Sequence, residues 1–143
     1  CTGSMKAWLD HYGYRWMLHR PNPDMFSKQG VCISTAAGAG TKWTNKDMAD
    51  SMFFWGMGKI YRYGTAVHAI NYKSISPEKM AEIEKATDKL AEKIRKNYGH
   101  VKPVLKTKTY FEVMRKLVKS GWNEVDVAYW KEHGWTEKAR PWR

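Results

Sequence analysis

The sequence predicts an α/β fold with parallel strands and a helical C-terminal extension. Three observations carry that expectation. Two short apolar, partly β-branched runs, residues 30–35 and 60–67, flank one helical stretch at 44–55. Strand, helix and strand in that order make a βαβ unit, whose crossover is right-handed and whose strands run parallel. A long amphipathic helix follows at 76–98, and the composition changes after residue 99. The expected division is therefore residues 1–99 and a basic, tryptophan-containing extension, 100–143.

The elements follow in order. Met5, Trp8, Leu9, Tyr12 and Trp16 recur at helical spacing, so 2–16 reads as a helix that Gly13 interrupts or ends. Thr2 is placed to cap it, its hydroxyl accepting from a free amide of the first turn. Arg20-Pro21-Asn22-Pro23-Asp24 is a loop, because two prolines fix the backbone and remove donors. Gly30-Val31-Cys32-Ile33-Ser34-Thr35 reads as a buried strand. Thr44 is the expected cap of the next helix, with Asp47 at the capping-box position. Met48, Met52 and Trp55 mark one face of it, and Gly56 and Gly58 stop it. The second strand follows after about three residues.

The helix at 76–98 carries the fullest set of signals. Ser76 caps it, Pro77 takes the first helical position and Glu78 complements the helix dipole. Met80, Ile83, Thr87, Leu90 and Ile94 form one apolar stripe. Lys93, Arg95 and Lys96 suit its C-terminus, and Gly99 ends it. Beyond it, 110–120 is helical through Phe111, Met114, Leu117 and Val118. Gly121 stops that helix, and Asn123 caps a short one carrying Val127 and Trp130.

Composition excludes several classes. A chain of 143 residues fits one domain and can bury roughly 70% of its unfolded surface. A hydrophobic share of 43% and an aromatic share of 14% exclude a disordered tail. There is no apolar run of about 18 residues, so no membrane-spanning helix is expected. No cationic-then-apolar leader is present. Cys1 and Cys32 make neither a disulfide framework nor the four-thiolate set of an iron–sulfur cluster. The expected setting is the cytoplasm. The 25 Lys+Arg against 14 Asp+Glu give a net charge of +11, which steers polyanions toward the surface. The charges are dispersed, and no zinc-finger spacing or RNA-binding aromatic motif accompanies them. A nucleic-acid-binding domain is thus the lesser alternative.

The informative stretch is Ser34, Thr35, Ala36, Ala37, Gly38, Ala39, Gly40 and Thr41. In an open parallel sheet, ligands sit outside the carboxyl ends of the strands. Small residues there let a planar ligand approach the backbone. Free amides at the next helix start can face an electron-rich group. A tight strand-to-helix turn needs the same small residues, so the residues by themselves leave both readings open.

Thr-Gly-Ser-Met-Lys-Ala-Trp-Leu-Asp-His at 2–11, Gly13-Tyr14-Arg15-Trp16, His19-Arg20-Pro21, and the run from Gly30 to Gly40 add a resemblance. Together and in that order they resemble the flavodoxin-like NAD(P)H-dependent FMN reductase family over residues 1–98. Residues 100–143 resemble the helical extension of some members. Gly3, Met5, Lys6, Trp8, Leu9 and Asp10 match the family's helix opening after a flavin-contacting loop. The resemblance implies a partial flavodoxin-like three-layer fold. It implies FMN and NAD(P)H as cofactors, held by Thr2, Gly3, Ser4 and Met5 and by Ser34 to Thr41. The cofactor would carry the hydride chemistry, and the protein would supply position and electrostatics. A dimer is the family's common state.

The family's Ser/Thr/Gly-rich phosphate loop has no match in the sequence, and neither do the family's first strands. The chain is therefore expected to be the C-terminal part of such a flavoprotein. The alternative is a non-catalytic α/β interaction module without a cofactor. A two-stranded sheet would leave strand edges open, so pairing with another copy, with the N-terminal half, or heavy helix coverage is expected. Cys32 is expected to pack in the core and His68 to pack or hydrogen-bond. Lys6 and Arg20 are read as solvated surface residues, the alternative being contact with a phosphate or the nicotinamide cofactor. Trp16 and Trp43 are candidates to stack on a flavin. His11 and His19 show no metal-ligand spacing.

Overall fold

The computed structural model describes residues 1–142. Arg143, the last basic residue of the tail, lies outside the described residues. The architecture is mixed α/β around a small parallel two-stranded sheet. In chain order the elements are α1 (Gly3–His11), β1 (Gln29–Ala36), α2 (Thr41–Phe54), β2 (Lys59–Ala66), α3 (Pro77–Asn97), α4 (Leu105–Lys119) and α5 (Glu124–Glu132). The two strands pair from Gln29 opposite Lys59 to Ala36 opposite Ala66. The βαβ unit is as the patterning predicts.

Strand side chains alternate between faces. On one face Cys32 is buried against Met52 of α2, its thiol 3.6 Å from the Met52 sulfur. On the other face the strands reach α3. Gln29 Nε2 donates to the Ile94 carbonyl at 3.0 Å, and Lys79 Nζ donates to Thr65 Oγ1 at 3.4 Å. Lys59 meets Asn97 at the other end. Helix α3 therefore runs antiparallel to β2, on the face opposite α2. Its stripe of Met80, Ile83, Thr87, Leu90 and Ile94 is half-buried, and none of its residues is buried fully.

Several boundaries differ from the expectation, each for a physical reason. Helix α1 ends at His11 instead of Trp16, and Gly13–Arg15 tighten into a 3-10 turn. Of its apolar residues Leu9 is buried, while Trp8 remains 50% exposed. Helix α2 starts at Thr41, three residues before Thr44. Gly40 adopts φ +102° as its N-cap, a left-handed conformation that turns the chain into the helix without a side-chain cap. The Thr44–Asp47 capping box does not form. Helix α4 starts at Leu105, earlier than Tyr110, soon after Pro103. The β1 strand is not buried throughout, because Ile33 is 57% exposed on the face that α3 covers only in part.

Two cores hold these elements. One gathers Leu9, Cys32, Met48, Ala49 and Trp55 around α2 and the sheet. The other joins Met17 and Phe26 to Phe111, Met114, Val118, Trp130 and Trp135. The C-terminal extension thus shares its core with residues 17–26. The Met17 amide donates to the Phe54 carbonyl at 2.6 Å and ties the cores together. Gly58 is needed at this seam, since a Cβ there would run into the Phe26 carbonyl oxygen and Val101.

Candidate functional site

The strand-end loop is built by the parallel pairing itself. Ladder bonds continue past the strands: the Val67 amide donates to the Ala36 carbonyl at 2.9 Å, and the His68 amide to Ala37 at 3.0 Å. His68 carries φ +51°, an uncommon conformation for a residue with a Cβ. Ala37, Gly38, Ala39 and Gly40 are exposed around this turn. The Ser34 hydroxyl donates to the Thr41 carbonyl at 3.3 Å and holds the loop against the helix start.

Helical bonding in α2 begins with the Thr44 amide to the Gly40 carbonyl. The amides of Thr41, Lys42 and Trp43 have no partner among the described residues. Such a helix start favours electron-rich groups through its free donors and the helix dipole. Beneath it lies Asn45, 3% exposed, whose Oδ1 has no hydrogen-bond partner. Gly64 of β2 lets α2 come this close. A Cβ there would sit 2.7 Å from Thr41 Cβ and 2.9 Å from Asn45 Nδ2. Burial of an unpaired amide oxygen is unfavourable by about 1–3 kcal/mol, so this close approach of α2 to β2 is held at a cost.

The other candidate residues lie at the start of α1. Thr2 caps α1, its hydroxyl accepting from the Met5 amide at 3.3 Å, as the sequence suggests. Thr2, Gly3, Ser4 and Met5 are exposed. The Cys1 amino nitrogen lies 3.5 Å from Asp47 Oδ2. Asp47 is six residues along α2 from Thr41, about 9 Å at the helical rise. A cavity of about 230 Å³ beside Cys1 is lined by Lys6, Asp10, Trp16, Asp47 and Asp50, and by none of the residues from Ser34 to Thr41. That cavity is lined by none of Thr2 to Met5 either, so the structure does not bring the two predicted sets together in one site.

The remaining candidates are placed individually. Cys32 is 1% exposed, and burial pushes its thiol pKa up, with Arg62 partly offsetting the shift. That is a packing cysteine. His68 is exposed and does not pack in the core. Trp43 stands 66% exposed beside the loop, with Lys42 Nζ 5.8 Å from its ring. Trp16 packs on Phe54 away from the loop. His19 bonds Asp126 at 2.8 Å. No group of three or more His, Cys, Asp or Glu side chains forms a metal site among the described residues. No helix among them is long and apolar enough to cross a membrane.

Asn45 is the site residue that sequence reasoning missed. Its signal was indirect: a glycine inside a strand, Gly64, marks a close backbone approach. No protein family, curated protein or solved structure matches the chain.

Proposed function

We propose that this chain is the C-terminal part of a flavodoxin-like, FMN-dependent NAD(P)H oxidoreductase. The observation that carries the reading is the strand-end loop: exposed small residues, three unpartnered amides and the orphaned Asn45 Oδ1 at the carboxyl ends of parallel strands. The donor set fits the electron-rich edge of a flavin ring; Asn45 Oδ1, which has no free surface, would meet a ring N–H only if the helix start shifts. Ser34 to Thr41 would hold that edge, while Thr2 to Met5 stand apart at the start of α1. The flavin, when bound, would supply the hydride chemistry between NAD(P)H and an acceptor. Exposed Gly38 and Gly40 leave the backbone open to a flat ring, and Trp43 stands ready to shield it from water. Helices on both faces of the sheet support the three-layer part of the reading.

Titrating FMN with the purified chain tests it. Saturable quenching of flavin fluorescence is expected. Gly40→Val should weaken the affinity by about tenfold, because a β-branched residue disfavours φ +102°. The added Cβ meets nothing within 4 Å, so the strain falls on the backbone of this exposed turn, and a thermal melt of the variant separates lost binding from lost fold. Absence of saturable quenching, or equal affinity in the variant, would overturn flavin binding by this loop.

The second reading, a non-catalytic interaction module, is favoured by one feature. A sheet of order β1-β2 leaves each strand one unpaired edge. Such edges recruit further strands. The same edges support association with a second copy or with the rest of a larger flavoprotein. Sedimentation should therefore show self-association of the isolated chain as concentration rises. A monomer at every concentration would contradict it.

A further inference from the structure

A second cavity, apart from the strand-end loop, has a wall of aromatic rings. Trp8, Tyr12, Tyr14 and Trp55 enclose about 270 Å³ together with Arg15 and Asn22. Its floor is fixed. Trp55 is buried, and its indole N–H donates to the Tyr12 carbonyl at 3.1 Å. Trp8 meets Trp55 edge-on at 5.7 Å, and Tyr12 stacks with Tyr14 at 6.3 Å. Trp8, Tyr12 and Tyr14 nevertheless keep 50%, 36% and 39% of their surface in water. Leaving three large rings of one seven-residue stretch exposed around a concave site is the signature of a binding pocket.

Charge decides what the pocket takes. The Arg15 guanidinium lies 5.0 Å from the Tyr14 ring centroid, and its Nη1 donates to the Arg20 carbonyl. Nearby, Asp126 is taken by His19 and Arg20, and Arg15 makes no ion pair among the described residues. Among the described residues no carboxylate lines the cavity. Aromatic ring faces attract cations, but Arg15 already places a positive charge in this wall, so a second cation would be repelled. We propose that this cavity binds a small planar aromatic carboxylate, its ring against the aromatic walls and its carboxylate on Arg15.

Calorimetry with two probes of the same shape tests this: 2-naphthoate and the neutral 2-naphthalenemethanol. Naphthoate should bind saturably, about tenfold more tightly than the alcohol, as a charge-assisted contact implies. Arg15→Gln should abolish that difference. Trp8→Ala, at a half-exposed wall, should weaken both probes alike. Equal affinities in the natural chain would overturn the proposal. So would a preference that persists in Arg15→Gln, unchanged affinity in Trp8→Ala, or no saturable binding of naphthoate.

Discussion

Replacing Trp130 with alanine is expected to destabilise the chain by about 3–5 kcal/mol, the range for emptying a buried tryptophan site. Trp130 is fully buried and stacks on Phe111 at 4.7 Å, with Trp135 edge-on at 5.6 Å. The same ring bonds the loop: its indole N–H donates to the His19 carbonyl at 2.7 Å. Alanine removes the ring contacts and orphans that carbonyl together. Domains of this size are stable by about 5–15 kcal/mol, so the loss rivals the whole margin. A lowered urea midpoint, with α4 and α5 no longer docked on Met17 and Phe26, is the expected result. Trp122→Ala, at a ring 55% exposed against His19, should change stability far less. Equal effects of the two substitutions would show that the second core does not hold the extension.

Asp126→Ala carries the next largest effect. Asp126 is 2% exposed on α5, and both its oxygens are engaged. Oδ2 meets His19 Nδ1 at 2.8 Å and Oδ1 meets Arg20 Nε at 3.4 Å. Removing one partner of a buried ion pair costs about 3–5 kcal/mol. His19 and Arg20 both reach solvent, so about 3 kcal/mol is the expected loss, the lower end of that range. Asp126→Asn should lose less, since the amide oxygen can still accept from His19 Nδ1. Guanidinium unfolding of both variants checks the order, and a larger loss for asparagine than for alanine would contradict it.

Much of the fold was legible because its signals are local. Ser76, Pro77 and Gly99 bracket α3 almost to the residue, and Asn123 caps α5 through its side chain onto the Asp126 amide. The start of α2 was misread for the opposite reason. Gly40 caps by its backbone conformation, which leaves no side-chain signature, while Thr44 and Asp47 mimic a capping box inside the helix. Part of the second core was hidden in residues without periodicity, although Phe111, Met114, Val118 and Trp130 stood out on their helices. Met17 and Phe26 sit in turns, and Trp135 lies after the last helix. Met17 and Phe26 find their core partners in the distant C-terminal extension, and Asp126 bonds His19 107 positions away. The strand-end loop was visible as a run of small residues. The buried Asn45 beneath it was not, because an asparagine in a helix looks solvated until the strand glycine opposite it is placed.

The central claim is that the strand-end loop, and no other surface of this chain, receives the flavin ring. Backbone amide chemical shifts of the labelled chain, followed as FMN is added, test it directly. The account predicts the largest changes at Ala37 to Trp43 and at Asn45. Changes centred on Trp8, Tyr12 and Trp55, or no changes at saturating FMN, would contradict it.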